Sequence, residues 1–146
     1  MKNKEVLEAA KEFERCQRLD LAFKVKYAMA KNLERIKRLE KRAQDIKNVQ
    51  GDEECVAFLQ ARQEFFKTHD LQNQDEQFLA DWKIVEDAHS GAVTKLKALE
   101  EEFHDFLDSE TDLEVYDISS ELIEGSEDRH PDTGKINLSL ILGFLR

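Results

Sequence analysis

The chain has 146 residues, one domain's worth at ~100–200 residues per domain, with 22 Lys+Arg against 32 Asp+Glu and a formal net charge of −10. Hydrophobic residues make up 40% and charged residues 37%, a balance suited to elongated helical proteins, and nine Phe with one Trp exclude a wholly disordered chain. Five Gly and one Pro are too few for an all-β sandwich, which needs turn residues at short intervals.

Residues 4–18 pattern as a short amphipathic helix with Val6, Leu7, Ala10 and Phe13 on one face, and LDLAF at 19–23 reads as a tight connection. From Lys24 to Asn48 there is no Gly or Pro, and Val25, Met29, Asn32, Ile36, Leu39, Ala43 and Ile46 recur at alternating spacings of four and three. That is a heptad seam, the signature of coiled-coil packing. Asn32 sits in the seam beside Ile36 and Leu39; a polar residue there lowers stability but fixes register when it finds a partner. Gly51-Asp52 ends or kinks this helix, 52–67 forms a second helical run, and the polar 68–77 reads as a loop.

Residues 78–108 admit two readings. Phe78, Trp82, Val85, His89, Ala92, Leu96, Leu99, Phe103 and Phe106 continue the four-three alternation as one long helix would, but Ser90-Gly91 falls in the middle, where Gly costs about 1 kcal/mol relative to Ala. The alternative, favoured by that boundary, is a strand near 78–85 and a helix capped by Asp87 or Ser90; both readings place a helix over 91–108. Leu113 to Ile118 alternates apolar and polar residues as a half-buried strand would. Residues 124–135 hold the only proline and two glycines and read as an exposed loop, and the apolar tail is either a closing strand or a helical turn docked on the core. The expected fold is therefore mainly α with a small β element: long antiparallel, coiled-coil-like helices plus a short C-terminal strand or hairpin. One domain covers 1–146, mostly helical to 110, with strand, loop and tail beyond.

Charge is segregated. Residues 1–50 carry a net +6 and residues 51–146 a net −16. Lys31, Lys37, Arg38 and Lys41 project outward from the long helix, while Lys26, Arg35, Arg42 and Lys47 flank its seam. One explanation is a basic helix beside an acidic one, with Arg35 and Arg42 meeting residues such as Glu100 and Glu102. The other is that Lys31, Lys37, Arg38 and Lys41 bind an acidic partner. Nucleic acid is disfavoured, because no stacking aromatics share that face and the overall charge repels a polyanion. The acidic remainder could instead imitate a polyanion in a partner's basic groove.

The sequence offers no catalytic constellation. It contains no GxSxG, P-loop, GxGxxG or HExxH. Two E-x-x-H runs end at His89 and His104, but on one helix they stand ~22 Å apart, too far to share a metal pair. His69 and His130 read as solvated loop residues. Cys16 and Cys55 form no CxxC and read as small buried apolar residues in a reduced compartment. No catalytic residue, metal or cofactor is expected. The start is charged from its second residue, and the longest apolar stretch, Leu138 to Leu145, is far short of the ~20 residues of a membrane span; the expectation is a cytoplasmic protein with no membrane contact.

Lys24, Tyr27, Ala30, Lys31, Asn32 and Leu33, inside Phe23–Leu33 at the opening of the long helix, form a pattern that resembles a family of small tailed-phage proteins with no established activity. Ala98 to Leu107 followed by Leu113 to Ile118 is similar to that family's helix-then-strand ending, and the apolar 138–145 sits where such proteins finish. The resemblance covers about two-thirds of the chain in pieces and omits 51–85. It implies a phage or prophage origin, a host-cytoplasmic setting and a specific contact for Asn32, and carries over no functional residues. The expected function is a non-catalytic protein–protein interaction with a host or phage protein. Its sharpest form is inhibition of a host defence or nuclease complex, in the manner of an anti-CRISPR protein. The alternatives are an assembly or scaffolding component that self-associates through its helices, and a nucleic-acid binder using the basic face.

Overall fold

The computed structural model describes residues 1–146 as six α-helices: α1 (Asn3–Cys16), α2 (Phe23–Lys47), α3 (Glu53–Thr68), α4 (Glu76–Ala88), α5 (Ser90–Asp108) and α6 (Ser120–Gly125). Three short 3-10 turns follow at Pro131–Lys135, Leu138–Leu140 and Leu142–Phe144. No helix is long and apolar enough to cross a membrane. The chain forms two compact units, one of Met1–Gln44 with Asp105–Arg146 and one of Asp45–His104.

In the first unit, α1 opens where the Lys2 N–H donates to the Glu5 carboxylate (2.7 Å). It buries Val6, Ala9, Ala10, Phe13 and Cys16, a stripe at helical spacing. The LDLAF connection buries Leu21, and the Ala22 carbonyl accepts from the Val25 and Lys26 N–H groups to start α2. The seam of α2 is buried at Val25, Met29, Asn32, Ile36 and Leu39 and half-buried at Ala43 and Ile46. Its buried apolar positions, Val25, Met29, Ile36 and Leu39, pack in one core with the α1 stripe and with Ile118, Ile123, Ile136, Ile141 and Phe144. Phe13 meets Phe144 edge to face at 4.9 Å. Each fully buried Phe or Ile contributes roughly 1.5–3 kcal/mol, so the C-terminal segment is an integral part of this core.

The expected β element is absent, and the fold is all-helical. Leu113 and Val115 are half-buried and Glu114 and Tyr116 exposed, but Ile118, which a period of two would place with Glu114 and Tyr116, is buried, so the alternation breaks before the end of the segment. A strand fails to form because the Tyr116 backbone bonds to a side chain, the carboxamide of Asn32. The only bridges are isolated ones, Lys2 with Glu110 and Ile118 with Leu145. Nor is 124–135 a freely exposed loop. Ser119 caps α6 by accepting from the Leu122 N–H (3.2 Å), and Ser126, Thr133 and Ile136 are buried. Asp132 accepts from the Asp20 N–H (2.9 Å), and the Arg15 guanidinium donates to the Lys135 carbonyl. The tail docks as 3-10 turns around the buried Ile141 and Phe144, and the Met1 side chain lies where a Cβ at position 143 would stand, so a larger residue there would have to displace that flexible side chain.

The second unit corrects the reading of 78–85, which is helical. Asp75 caps α4 by accepting from the Phe78 N–H (2.9 Å), and Phe78, Trp82 and Val85 then share one helical face. The helix breaks at His89 (φ −126°, ψ 35°), beside the Ser90-Gly91 boundary. Asp52 caps α3 through the Cys55 N–H (3.1 Å). Cys55, Phe58 and Ala92 form the buried centre, with Trp82, Val85 and Leu96 around it, and Phe65 packs on Phe78 and Trp82 at 5.1 Å each. A Cβ at Gly91 would come within 2.7 Å of Glu54 Oε1, whose carboxylate accepts from Lys95 Nζ at 2.9 Å.

Candidate interaction surface

His89 packs its ring 5.8 Å from that of Phe58, His104 lies 3.8 Å from Glu100, and no three His, Cys, Asp or Glu side chains converge on a metal-sized point. The two loop histidines are partnered. His69 stacks on Phe65 at 3.8 Å and meets Asp81 at 3.2 Å, and His130 meets Asp20 at 3.0 Å. Both cysteines are free and buried. Burial, reinforced by Glu12, pushes the Cys16 thiol up to about 12, and burial beside Asp52 raises Cys55 as well. Neither is poised as a thiolate.

The solvent face of α2 is different. Positions 23, 27, 31, 35, 38 and 42 follow steps of four and three and form one stripe. Phe23 stacks on Tyr27 (6.0 Å), Tyr27 meets Tyr116 edge to face (6.0 Å), Lys31 lies over the Tyr27 ring (5.7 Å) and Arg35 over that of Tyr116 (5.7 Å). Arg35 Nη1 also donates to the Glu114 carbonyl (2.9 Å), and Arg42 Nη1 pairs with Asp112 (3.1 Å). These contacts lay 112–116 along the helix and leave a groove of about 680 Å³, lined by Lys31, Arg38, Leu39 and Arg42 on one side and by Asp112 to Glu114 and Tyr116 on the other.

Of the four outward cations expected to act together, the structure places only two in this groove. Lys31 is there, paired with Glu34 at 3.4 Å, and Arg38 is there, exposed and without a hydrogen bond or ion pair. Lys37 lines a separate depression of about 270 Å³ with Glu14, Glu34 and Glu40, and Lys41 is exposed outside both. Asn32 is fully buried, and Ile36 and Leu39 are buried in the apolar core. Arg35 and Arg42 meet the 112–116 segment, in place of Glu100 and Glu102. The expectation of a face without aromatics also fails, since Phe23, Tyr27 and Tyr116 all lie on it. Phe23 and Tyr27 were visible as i, i+4 neighbours preceding Lys31; Tyr116 reaches the face only through its long-range contact. No family model, curated protein or solved structure matches the chain.

Proposed function

We propose that this protein is a non-catalytic interaction protein that docks another protein on the solvent face of α2. The observation that carries the reading is the cluster of three exposed rings, Phe23 (79% exposed), Tyr27 (44%) and Tyr116 (38%), along the same helical stripe as the unpaired Arg38. Aromatic and arginine side chains of this kind supply most of the energy at protein interfaces. Asn32 grips the Tyr116 backbone and Arg35 covers its ring, so Tyr116 is held against the helix beforehand, which reduces the ordering cost of binding. The narrower role, inhibition of a host defence or nuclease complex, rests on the tailed-phage resemblance. Affinity capture from a host lysate, quantified for the wild type and Arg38→Glu in parallel, tests the reading. It predicts a stoichiometric protein retained by the wild type and lost by the variant; no such protein, or equal retention, counts against it.

One observation favours a second reading. Rings interleaved with Lys31, Arg35, Arg38 and Arg42 also suit a single-stranded nucleic acid, which stacks its bases and pairs its phosphates. Glu34, Asp112 and Glu114 in the same groove would repel those phosphates, and for that reason the protein partner is preferred.

A further inference from the structure

We infer that the occupant of the α2 groove is a short acidic segment of the partner protein that carries one aromatic or large apolar residue about five positions away from its carboxylates. This rests on the reading of α2 as a docking face and goes on to name what docks there.

The charges in the groove are unequally available. Lys31 is engaged by Glu34 (3.4 Å) and Arg42 by Asp112 (3.1 Å). Arg35 donates to the Glu114 carbonyl and covers the Tyr116 ring. Arg38 alone has its whole guanidinium fork free, and such a fork binds a carboxylate through two parallel N–H bonds. Positive charge is thus offered at one point. Glu114 keeps a carboxylate without a partner in the same lining, so a ligand with evenly spaced negative charge meets repulsion on part of its length. A ligand with one acidic spot does not.

The apolar end is set by the rings. Tyr27 lies eleven residues before Arg38 on a continuous helix, which is ~16 Å at 1.5 Å per residue. An extended peptide covers that span in about five residues at ~3.3 Å each. Its aromatic or apolar side chain would pack on Tyr116, which lines the groove, and on Tyr27 and the 79%-exposed ring of Phe23, which continue the stripe beyond it.

The test titrates ¹⁵N-labelled full-length protein with synthetic twelve-residue peptides built on a Gly/Ser background. The probe carries two adjacent aspartates and a tryptophan five positions on. Its controls shorten the spacing to two, replace the aspartates by lysines, or substitute a dT12 oligonucleotide. The expected result is saturable shifts at Tyr27, Arg38 and Tyr116 with the probe, at least ~10-fold tighter than with any control, the scale of one charge-assisted pair. Arg38→Gln should lose that preference with the remaining spectrum unchanged, which shows the variant is folded. No saturable shift, equal response to the controls, or tighter binding of dT12 would overturn the inference. Lysate capture that depends on Arg38 while the probe stays silent would leave the docking reading standing and remove only the acidic-segment assignment; loss of both would remove both.

Discussion

The carboxamide of Asn32 grips the backbone of Tyr116 twice: Nδ2 donates to its carbonyl (2.8 Å) and Oδ1 accepts from its N–H (2.7 Å). Asn32 is fully buried on α2, 84 positions away in sequence, so this pair replaces the strand partner that the extended 113–118 segment lacks. A polar residue in an apolar seam is thereby satisfied, and it fixes which part of the chain lies against the helix.

Replacing Asn32 by Leu leaves two backbone groups without partners, at ~1–3 kcal/mol for a buried unsatisfied group. Urea unfolding should show a loss of about 2–3 kcal/mol, together with loss of the Tyr27–Tyr116 contact in NMR. A change within ~0.5 kcal/mol, the range of an ordinary surface substitution, would show that the grip contributes nothing.

Glu12 is a buried carboxylate held by the Arg15 guanidinium (3.0 and 2.5 Å), the Asn137 N–H (2.8 Å) and the Cys16 thiol (3.5 Å). Arg15 above all keeps its carboxyl below the usual range, while burial opposes the shift. Because the folded-state value lies below the unfolded one, its stabilisation is complete above the unfolded value and is lost as pH falls through the folded one. Urea midpoints measured between pH 6 and pH 3 should fall more steeply for the wild type than for Glu12→Gln. At pH 6 the variant should be less stable by ~1.5–3 kcal/mol, as befits hydrogen bonds to a charged group. Parallel curves would contradict this.

Arg42 and Asp112 form an exposed pair, 54% and 77% accessible, so its contribution to stability should stay below ~1 kcal/mol. Asp112→Asn should leave the urea midpoint nearly unchanged, free Arg42 and strengthen binding of the acidic probe. Weaker binding would mean that Asp112 orders the groove more than it competes for it.

Burial and the raised thiol values make Cys16 and Cys55 poor nucleophiles. A thiol reagent at pH 8 should label neither in the native protein and both in urea. Rapid native labelling of Cys16 would contradict its burial at the end of α1.

What was legible in the sequence follows from what periodicity measures. The helical spacing of Val6, Phe13, Val25, Met29, Ile36 and Leu39 reports a buried stripe, and those elements stand where that spacing puts them. The period of two matches the burial only over 113–116 and fails at Ile118; periodicity is blind to hydrogen-bond partners, and a side-chain partner made the strand expectation fail. At 78–85 the four-three spacing is that of a helix, and the Asp75 cap that starts it lies inside a polar stretch that reads as loop. The candidate surface was half legible. Lys31 and Arg38 share a stripe, whereas Lys37 and Lys41 are turned away from it by the 100° step of the helix. Tyr116, Arg35 and Arg42 join the face only through tertiary contacts that no local pattern encodes.

The central claim, that the ring-and-arginine face of α2 meets another protein, is tested most directly by site-specific photo-cross-linking in living cells. A photoreactive phenylalanine analogue at Tyr27 would be compared with the same group at Lys11, which is exposed on α1. A discrete protein adduct from position 27, absent from position 11 and lost when Arg38→Glu is added, is the predicted result. Silence at position 27, or the same adducts from both positions, would contradict the account.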